Sequence, residues 1–375
     1  MHTEEAGTNT EGKMIVDTKQ FAGAVAHAMV AVAARPPLPI LAGIKLEATG
    51  GLLTVSGFDY DTQATATVPC DGDLPLTLVN GTLLKQVTGQ AKGNTITAEL
   101  VETRLNIEAG RAKVTLPTMP ANEYPQPMVT PEHGFTIDGT GWDILARSVA
   151  HAASKEDTLP VLSAVNFTVA DGQITAEATD RYRLAQNTVA VEGDYEGSFM
   201  MNAGTVLDVQ RHLNTGATWQ VAVNDSLAAI TDNSAQIIRS LIDGDYPKIS
   251  KLFPEDTEQK AIVNRAELAE AISRATTLLA PNETVKLTFK DDTVTLEAGT
   301  ADHGAMNEQL DCRGYTGLGE AVQYNPLYLS EALKAVSTDE AQIGWNDAVR
   351  PTAINGITDT GLDHEHKQLV MPIRF

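Results

Sequence analysis

Three residues able to ligate a metal or move protons crowd together at one place, His364-Glu365-His366. Zinc hydrolase helices set two histidines four residues apart on one face, and this run lacks that spacing. Its surroundings predict a solvated hairpin turn. The remaining histidines are scattered. Cys70 and Cys312 lie far apart with no CxxC spacing, so neither a disulfide framework nor a zinc site is indicated. The chain has no GxGxxG, no P-loop and no GxSxG. Asp59 and Asp180 recur in matching contexts in different parts of the chain, which favours a turn or cap role over a shared carboxylate pair. Catalysis is therefore disfavoured, and neither cofactor nor metal is expected.

The elements that carry these residues come from a chain of 375 residues, long enough for two or three domains. Only 5% of it is aromatic, so its cores must be mostly aliphatic and alanine. No apolar run reaches the roughly 18 residues that span a bilayer, and no membrane partner is expected. The polar start, "MHTEEAGTNTEGK", lacks the apolar centre of a signal peptide and reads as a disordered tail over 1–13, with the folded part beginning at Met14. A reducing cytoplasm is the simplest compartment. The formal charge of −22, taken as a sum, argues against nucleic acid, because phosphate binding rests on Lys and Arg.

The chain repeats itself. Leu38-Pro39-Ile40-Leu41 matches Leu159-Pro160-Val161-Leu162, and Asp59 matches Asp180, both at an offset of 121. Tyr124-Pro125 matches Tyr246-Pro247 at 122. A fainter third copy runs from Glu283, and "NPLYLSEALKAV" from Asn325 matches the segment at Asn202 at 123. Such a period is too long for a solenoid unit, so three homologous domains are expected over 14–130, 131–254 and 255–375. Each copy reads as helix, strands, helix, strands. Apolar spacing predicts helices over 17–35, 80–92, 141–155, 202–214, 264–280 and 325–337. Asp17, Asn80, Asn202, Asn264 and Asn325 stand where caps belong. Asp171-Gly172 signals a hairpin between the strands. The fold class is α+β, with two helices on antiparallel sheet in each domain.

Six stretches carry a resemblance: "RPPLPILAGIKLEA" from Arg35, "LPTMPANEYP" from Leu116, "TLPVLSAVNF" from Thr158, "ATDRYRLA" from Ala178, "LIDGDYPKISKLFP" from Leu241 and the terminal "LVMPIRF". Over residues 14–375 the chain resembles the bacterial DNA polymerase III β subunit family, the DNA sliding clamps. The resemblance implies a head-to-tail homodimer, a ring of six like domains with twelve helices around duplex DNA. It implies a non-catalytic processivity factor that tethers the replicative polymerase, is placed by a clamp loader and receives other proteins bearing a clamp-binding motif. A heterologous contact that closes gives such a ring, and tethering raises local concentration.

The resemblance recasts the charge. The six predicted helices hold ten basic and six acidic residues, a net of +4, which leaves −26 for the rest of the chain. A mildly basic bore with an acidic exterior suits sequence-independent phosphate contact. The residues expected to face DNA are Arg35, Lys85, Lys92, Arg147, Lys155, Arg211 and Arg274. In the loop Lys155-Glu156-Asp157, some family members follow with tyrosines where this chain has Pro160 and Val161.

A partner groove between the second and third domains is also implied, for a short peptide with a glutamine and bulky apolar anchors. By motif it takes Leu162, Thr179, Arg181, Tyr182, Arg183 and Leu184 from the second domain. Pro247, Lys251 and Leu252 come from the link, and Val349 and Pro351 from the third domain. Val370, Met371, Pro372, Ile373 and Arg374 complete it. Arg181 stands where a small residue is commoner. The dimer contact is expected to join Val114 and Leu116 to Thr277, Leu278 and Leu279 of a second copy. A rival reading, a triple-repeat adhesion or carbohydrate-binding protein, would want a secretion signal and exposed aromatics; the chain has no such signal and three tryptophans, Trp142, Trp219 and Trp345.

Overall fold

A computed structural model describes residues 12–156, 159–254, 256–300 and 304–374. Of the predicted tail, residues 1–11 lie outside the described residues, and so does Asp157 of the loop that follows Lys155. Gly12 and Lys13 belong to the strand Gly12–Asp17, which pairs with neighbours on both sides and so takes in two residues ahead of Met14.

The helices are α1 (Thr18–Ala28), α2 (Gly81–Gln90), α3 (Gly139–Val149), α4 (Ala203–His212), α5 (Arg265–Thr276) and α6 (Pro326–Ala335). Their starts follow the expected chemistry. The side-chain oxygens of Asp17, Asn80, Asn264 and Asn325 accept hydrogen bonds from first-turn amides, groups that no helix can satisfy from within itself. Their ends fall short of expectation. The first was predicted to run through Arg35 but stops at Ala28. A single 3-10 turn, Met29–Ala31, follows, and Val32 is extended. Pro36 and Pro37 hold the chain before them away from helical geometry, whatever the alanine content of 31–34.

This correction moves charge. Arg35, Lys92 and Lys155 sit in turns beyond helix ends. Within the observed helices seven basic residues face five acidic ones, a net of +2 instead of +4.

The described residues form two compact units, 12–139 with 208–241, and 140–207 with 242–374. In the first, strands run in the order Gly12–Asp17, Thr95–Val101, Arg104–Ala109, Ala112–Met119, Thr62–Asn80, Ala235–Ser240, Leu227–Thr231, Thr218–Val223 and Gly134–Asp138. The hairpin Gly43–Thr49/Leu52–Phe58 also pairs with the long strand Thr62–Asn80. Helix α1 lies on this hairpin, with Phe21, Val25 and Ala28 in one core with Leu46, Leu53 and Val55. Gly57 permits the approach: a Cβ there would stand 2.2 Å from the Ala28 carbonyl oxygen.

In the second unit a single twelve-stranded sheet runs Gly197–Asn202, Ala164–Ala170, Gln173–Thr179, Arg183–Ala190, Gly361–Val370, Thr352–Thr358, Glu340–Trp345, Gln259–Asn264, Gly304–Thr316, Thr293–Thr300, Val285–Lys290 and Ala321–Tyr324. The predicted turn at Asp171-Gly172 joins two of these strands, both residues at positive φ (52° and 71°). Trp142 stacks on Phe167, and Phe289 packs against Trp345. All three tryptophans are fully buried core residues.

Each unit contains one seam between successive repeats. In the first, Thr62–Ala66 pairs antiparallel with Ala235–Arg239. In the second, Arg183–Gln186 pairs antiparallel with Lys367–Val370. The fourth strand of one copy meets the last strand of the next, and sheet continues across the boundary.

Candidate functional site

The two seams share a local structure. After a hairpin strand the chain turns at Asp59 or Asp180. Asp59 Oδ1 accepts from the amides of Asp61 and Thr62 at 3.1 and 2.7 Å, and Asp180 Oδ1 accepts from Tyr182 and Arg183, both at 3.0 Å. The residue after each aspartate, Tyr60 or Arg181, takes positive φ, 76° and 79°. An amide of the next repeat then closes the turn: Ser240 N donates to Asp61 O at 2.9 Å, and Met371 N to Tyr182 O at 2.8 Å. The recurrent aspartates are turn-formers, as their repetition implied.

What stands on this frame differs. At the second seam Leu184 clusters with Ile249 and Leu369, and Tyr246, Phe253 and Met371 pack against them. Beside it opens a cavity of about 340 Å³ lined by Tyr182, Asn325, Tyr328, Met371, Pro372 and Ile373. Tyr182 is 57% exposed and stacks on Tyr328 at 6.5 Å. Arg183 is 3% exposed, its guanidinium 4.4 Å from the centre of the Tyr328 ring. Its Nε donates to Asp180 Oδ2 at 2.9 Å, and its other arm binds Glu331 on α6. At the first seam the position matching Leu184 is Gln63, whose side chain accepts from the Met128 amide at 2.8 Å. The first seam is polar at the position where the second is apolar.

The expected groove residues fall into three groups. Tyr182, Met371, Pro372 and Ile373 line the cavity together. Leu252 is exposed and Leu162 and Thr179 are buried; Val349, Pro247, Lys251, Arg181 and Arg374 lie on the surface of their own segments, with Pro351 half-buried. Val370 is fully buried in the third-repeat core, so its side chain faces away from any ligand. Asn325 and Tyr328 were not anticipated as groove residues. The signal was a departure from the repeat: three residues after each capping asparagine stand Leu83, Thr205 and Tyr328, an aromatic in the third copy alone.

The seven expected DNA-facing cations also divide. All are exposed. Arg147 pairs with Asp143 at 2.6 Å, Arg211 with Asp208 at 3.2 Å, and Arg274 with Glu308 at 2.6 Å. Arg35, Lys85, Lys92 and Lys155 make no ion pair among the described residues.

The run His364-Glu365-His366 is not the turn itself: it lies inside the strand Gly361–Val370, the hairpin turn falls at 359–360, and His364 and Glu365 are exposed as expected while His366 is buried. His366, Gln368 and Val370 alternate inward, and His366 is 3% exposed. Gln368 Nε2 lies 2.7 Å from His366 Nε2 and donates to the Ser148 carbonyl at 2.8 Å. Burial pushes His366 down to about 4. Burial, then Arg183 and His366, push His151 down to about 3. Among the described residues no group of three or more His, Cys, Asp or Glu is arranged to hold a metal ion, and no helix is long and apolar enough to cross a membrane.

Comparison with known proteins decides the family. The N-terminal, central and C-terminal domains of the DNA polymerase III beta subunit match residues 12–128, 142–248 and 250–374. The beta sliding clamp of Streptomyces coelicolor is 30% identical over 97% of this chain and 99% of its own length. The chain belongs to the beta sliding clamp family. The sliding clamp of Bacillus subtilis superposes with a TM-score of 0.91 at 23% identity, covering 98% of this chain and all of that one. A Pseudomonas aeruginosa clamp bound to griselimycin gives 0.90 at 19% identity, over 98% of this chain and all of that one. Sliding clamps are processivity factors of DNA polymerase, not catalysts, and this chain has their three domains of mixed helix and antiparallel sheet.

Of the residues expected at a clamp's dimer contact, Val114 and Leu116 turn into the first-repeat core, Leu116 at 6% exposure. Thr277 and Leu278 are exposed just past α5, and Leu279 packs on the third-repeat core. Val114 and Leu116 are thus occupied in their own domain, and what their strand leaves open is its backbone edge. Among the described residues, 112–117 pair with Arg104–Ala109 on one side only.

Proposed function

We propose that two copies of this chain close head to tail into a ring around duplex DNA, hold the replicative polymerase there, and receive it and other partners at the cavity beside Tyr328. The observation that carries the reading is the seam left over. Thr62, Arg183 and Gly304 open the fourth strands of the three copies at a constant spacing of 121. The first two strands meet the last strand of the following copy. The third, Gly304–Thr316, pairs over residues 304–311 with Thr293–Thr300 alone among the described residues. The only last strand without a preceding copy in the same chain is Ala112–Met119. Strand Gly304–Thr316 of one chain and Ala112–Met119 of another therefore supply the two halves of a third seam, and open strand edges are templates for such pairing. Leu278 lies 3.7 Å from where a Cβ would stand on Gly304, at the head of that edge. Two such seams close a ring; one alone would leave a second edge open.

Within this reading the unpaired cations Arg35, Lys85, Lys92 and Lys155 meet DNA phosphates without regard to sequence, a clamp loader opens one seam, and the work is done in the cytoplasm. The cavity takes an uncharged, apolar-anchored peptide, such as a polymerase tail. Aromatic and methionine walls suit several such anchors. The test is retention on DNA. Protein loaded by a clamp loader onto nicked circular plasmid should stay bound through gel filtration and be released when the plasmid is cut once. Equal retention on circular and linear DNA would overturn encirclement.

A further inference from the structure

Behind the tyrosine wall of the cavity lies an unusual charge arrangement. Arg183 is buried against Tyr328, yet its charge is fully engaged: Asp180 holds Nε, and Glu331 holds the other arm. Two carboxylates on one guanidinium give this trio a net of −1, and it stands behind Tyr328 without itself lining the cavity. Arg181 and Arg374 are exposed nearby in the chain, but neither lines the cavity. The hydroxyl of Tyr328 senses the same field: burial first, then Asp180, raise it, against the opposing effect of Arg183.

The repeat supplies an internal control. At the first seam Asp59 keeps the turn, but the position of Arg183 is Thr62, whose hydroxyl receives Arg239 from the opposite strand. The carboxylate–guanidinium–carboxylate trio is not required to build the seam. It occurs at the seam beside the larger, Tyr328-lined cavity; the first seam borders a smaller one, of about 120 Å³, at Gln63 and Thr65.

We infer that Asp180 and Glu331 are specificity determinants of the cavity: they hold Arg183 out of reach of a ligand carboxylate, so that the site admits neutral side chains and rejects acidic ones. The inference rests on the docking reading above. An arginine beside an apolar pocket is the natural receptor for a carboxylate, because its planar fork binds one through two hydrogen bonds. Here that capacity is already filled, and an incoming carboxylate would meet the surplus negative charge in a partly desolvated site. Like charges brought together at an interface are strongly unfavourable.

The experiment measures binding of three synthetic peptides to the full chain by fluorescence anisotropy. They share a glutamine and two bulky apolar residues, and differ at the final anchor, which is Leu, Gln or Glu. The reading is the ratio of Gln-peptide to Glu-peptide affinity, which a general loosening of the site would not change. Wild type should prefer Gln over Glu, and Glu331→Gln should lower that ratio about tenfold. Asp180→Asn, which keeps the turn-forming Oδ1, should lower it likewise, and Glu331→Asp, which keeps the charge, should restore most of it. A ratio that stays at the wild-type value in both neutral variants, with the Leu peptide still bound, overturns this inference alone. No binding of the Leu peptide to wild type overturns the docking reading, and the inference with it.

Discussion

Arg147, Arg211 and Arg274 already have carboxylate partners, whereas Arg35, Lys85, Lys92 and Lys155 have none among the described residues. Phosphate contact by a paired arginine must first break or share its ion pair. Each phosphate neutralised on duplex DNA steepens the dependence of log affinity on log salt by about 0.9. Lys85→Ala should therefore flatten that slope by about one on a short linear duplex, and Arg274→Ala by less than half as much. Equal flattening would show that pairing does not matter. At the cavity, Tyr328→Ala removes the ring that Tyr182 and Arg183 both pack on. Truncating a buried aromatic anchor costs an interface about 2 kcal/mol, roughly thirtyfold in affinity, and titration of an apolar-anchored peptide reads it directly; a change below threefold would remove Tyr328 from the site. These residues were unequally legible. Caps and turn-formers such as Asp17, Asn80, Asp59 and Asp180 act on amides two or three positions away, so local spacing reveals them. Tyr182 and Met371 came from motif. Tyr328 was hidden because it sits in the first turn of a helix, where an aromatic reads as core.

The elements show the same division. All six helices were legible in type and start, because capping and apolar spacing are local. Their ends were not. The alanine-rich segment after Ala28 has high helix propensity, but the prolines that follow and the packing of α1 at Gly57 stop it there. The last strand was misread in part: His366 looked solvated because its inward partner, the Ser148 carbonyl that binds Gln368, is more than two hundred residues away. That strand carries a pH prediction. His151 and His366 have folded values depressed to about 3 and about 4, below the ordinary 6.5. An unfolded chain therefore takes up protons first as pH falls. Stability is fully present above about 6.5 and is lost on acidification through the window down to about 4 for His366 and about 3 for His151. The slope is up to about 1.4 kcal/mol per pH unit for each histidine. Urea unfolding between pH 7 and 5 should show it, and His366→Asn should flatten it by about half. Stability that rises on acidification would refute the burial of these imidazoles.

At the scale of the molecule, the three copies were visible in sequence because the repeat drifts so little. The seams were not visible, because strand pairing between copies leaves no local pattern, and only the paired registers reveal that the fourth strand of each of the first two copies takes the next copy's last strand. That rule exhausts itself after two seams and leaves residues 304–311 and 112–117 open on one side among the described residues. A charge at the head of the open edge should disfavour closure, so Leu278→Asp should shift the dimer toward single chains at micromolar concentration, read by sedimentation velocity; an unchanged dimer would displace Leu278 from the contact. The most direct measurement is the solution mass of the wild-type protein by light scattering, from micromolar concentration downward. The predicted result is about 80 kDa, twice the 40.0 kDa chain. A mass of one chain at every concentration would contradict the third seam, and with it the ring.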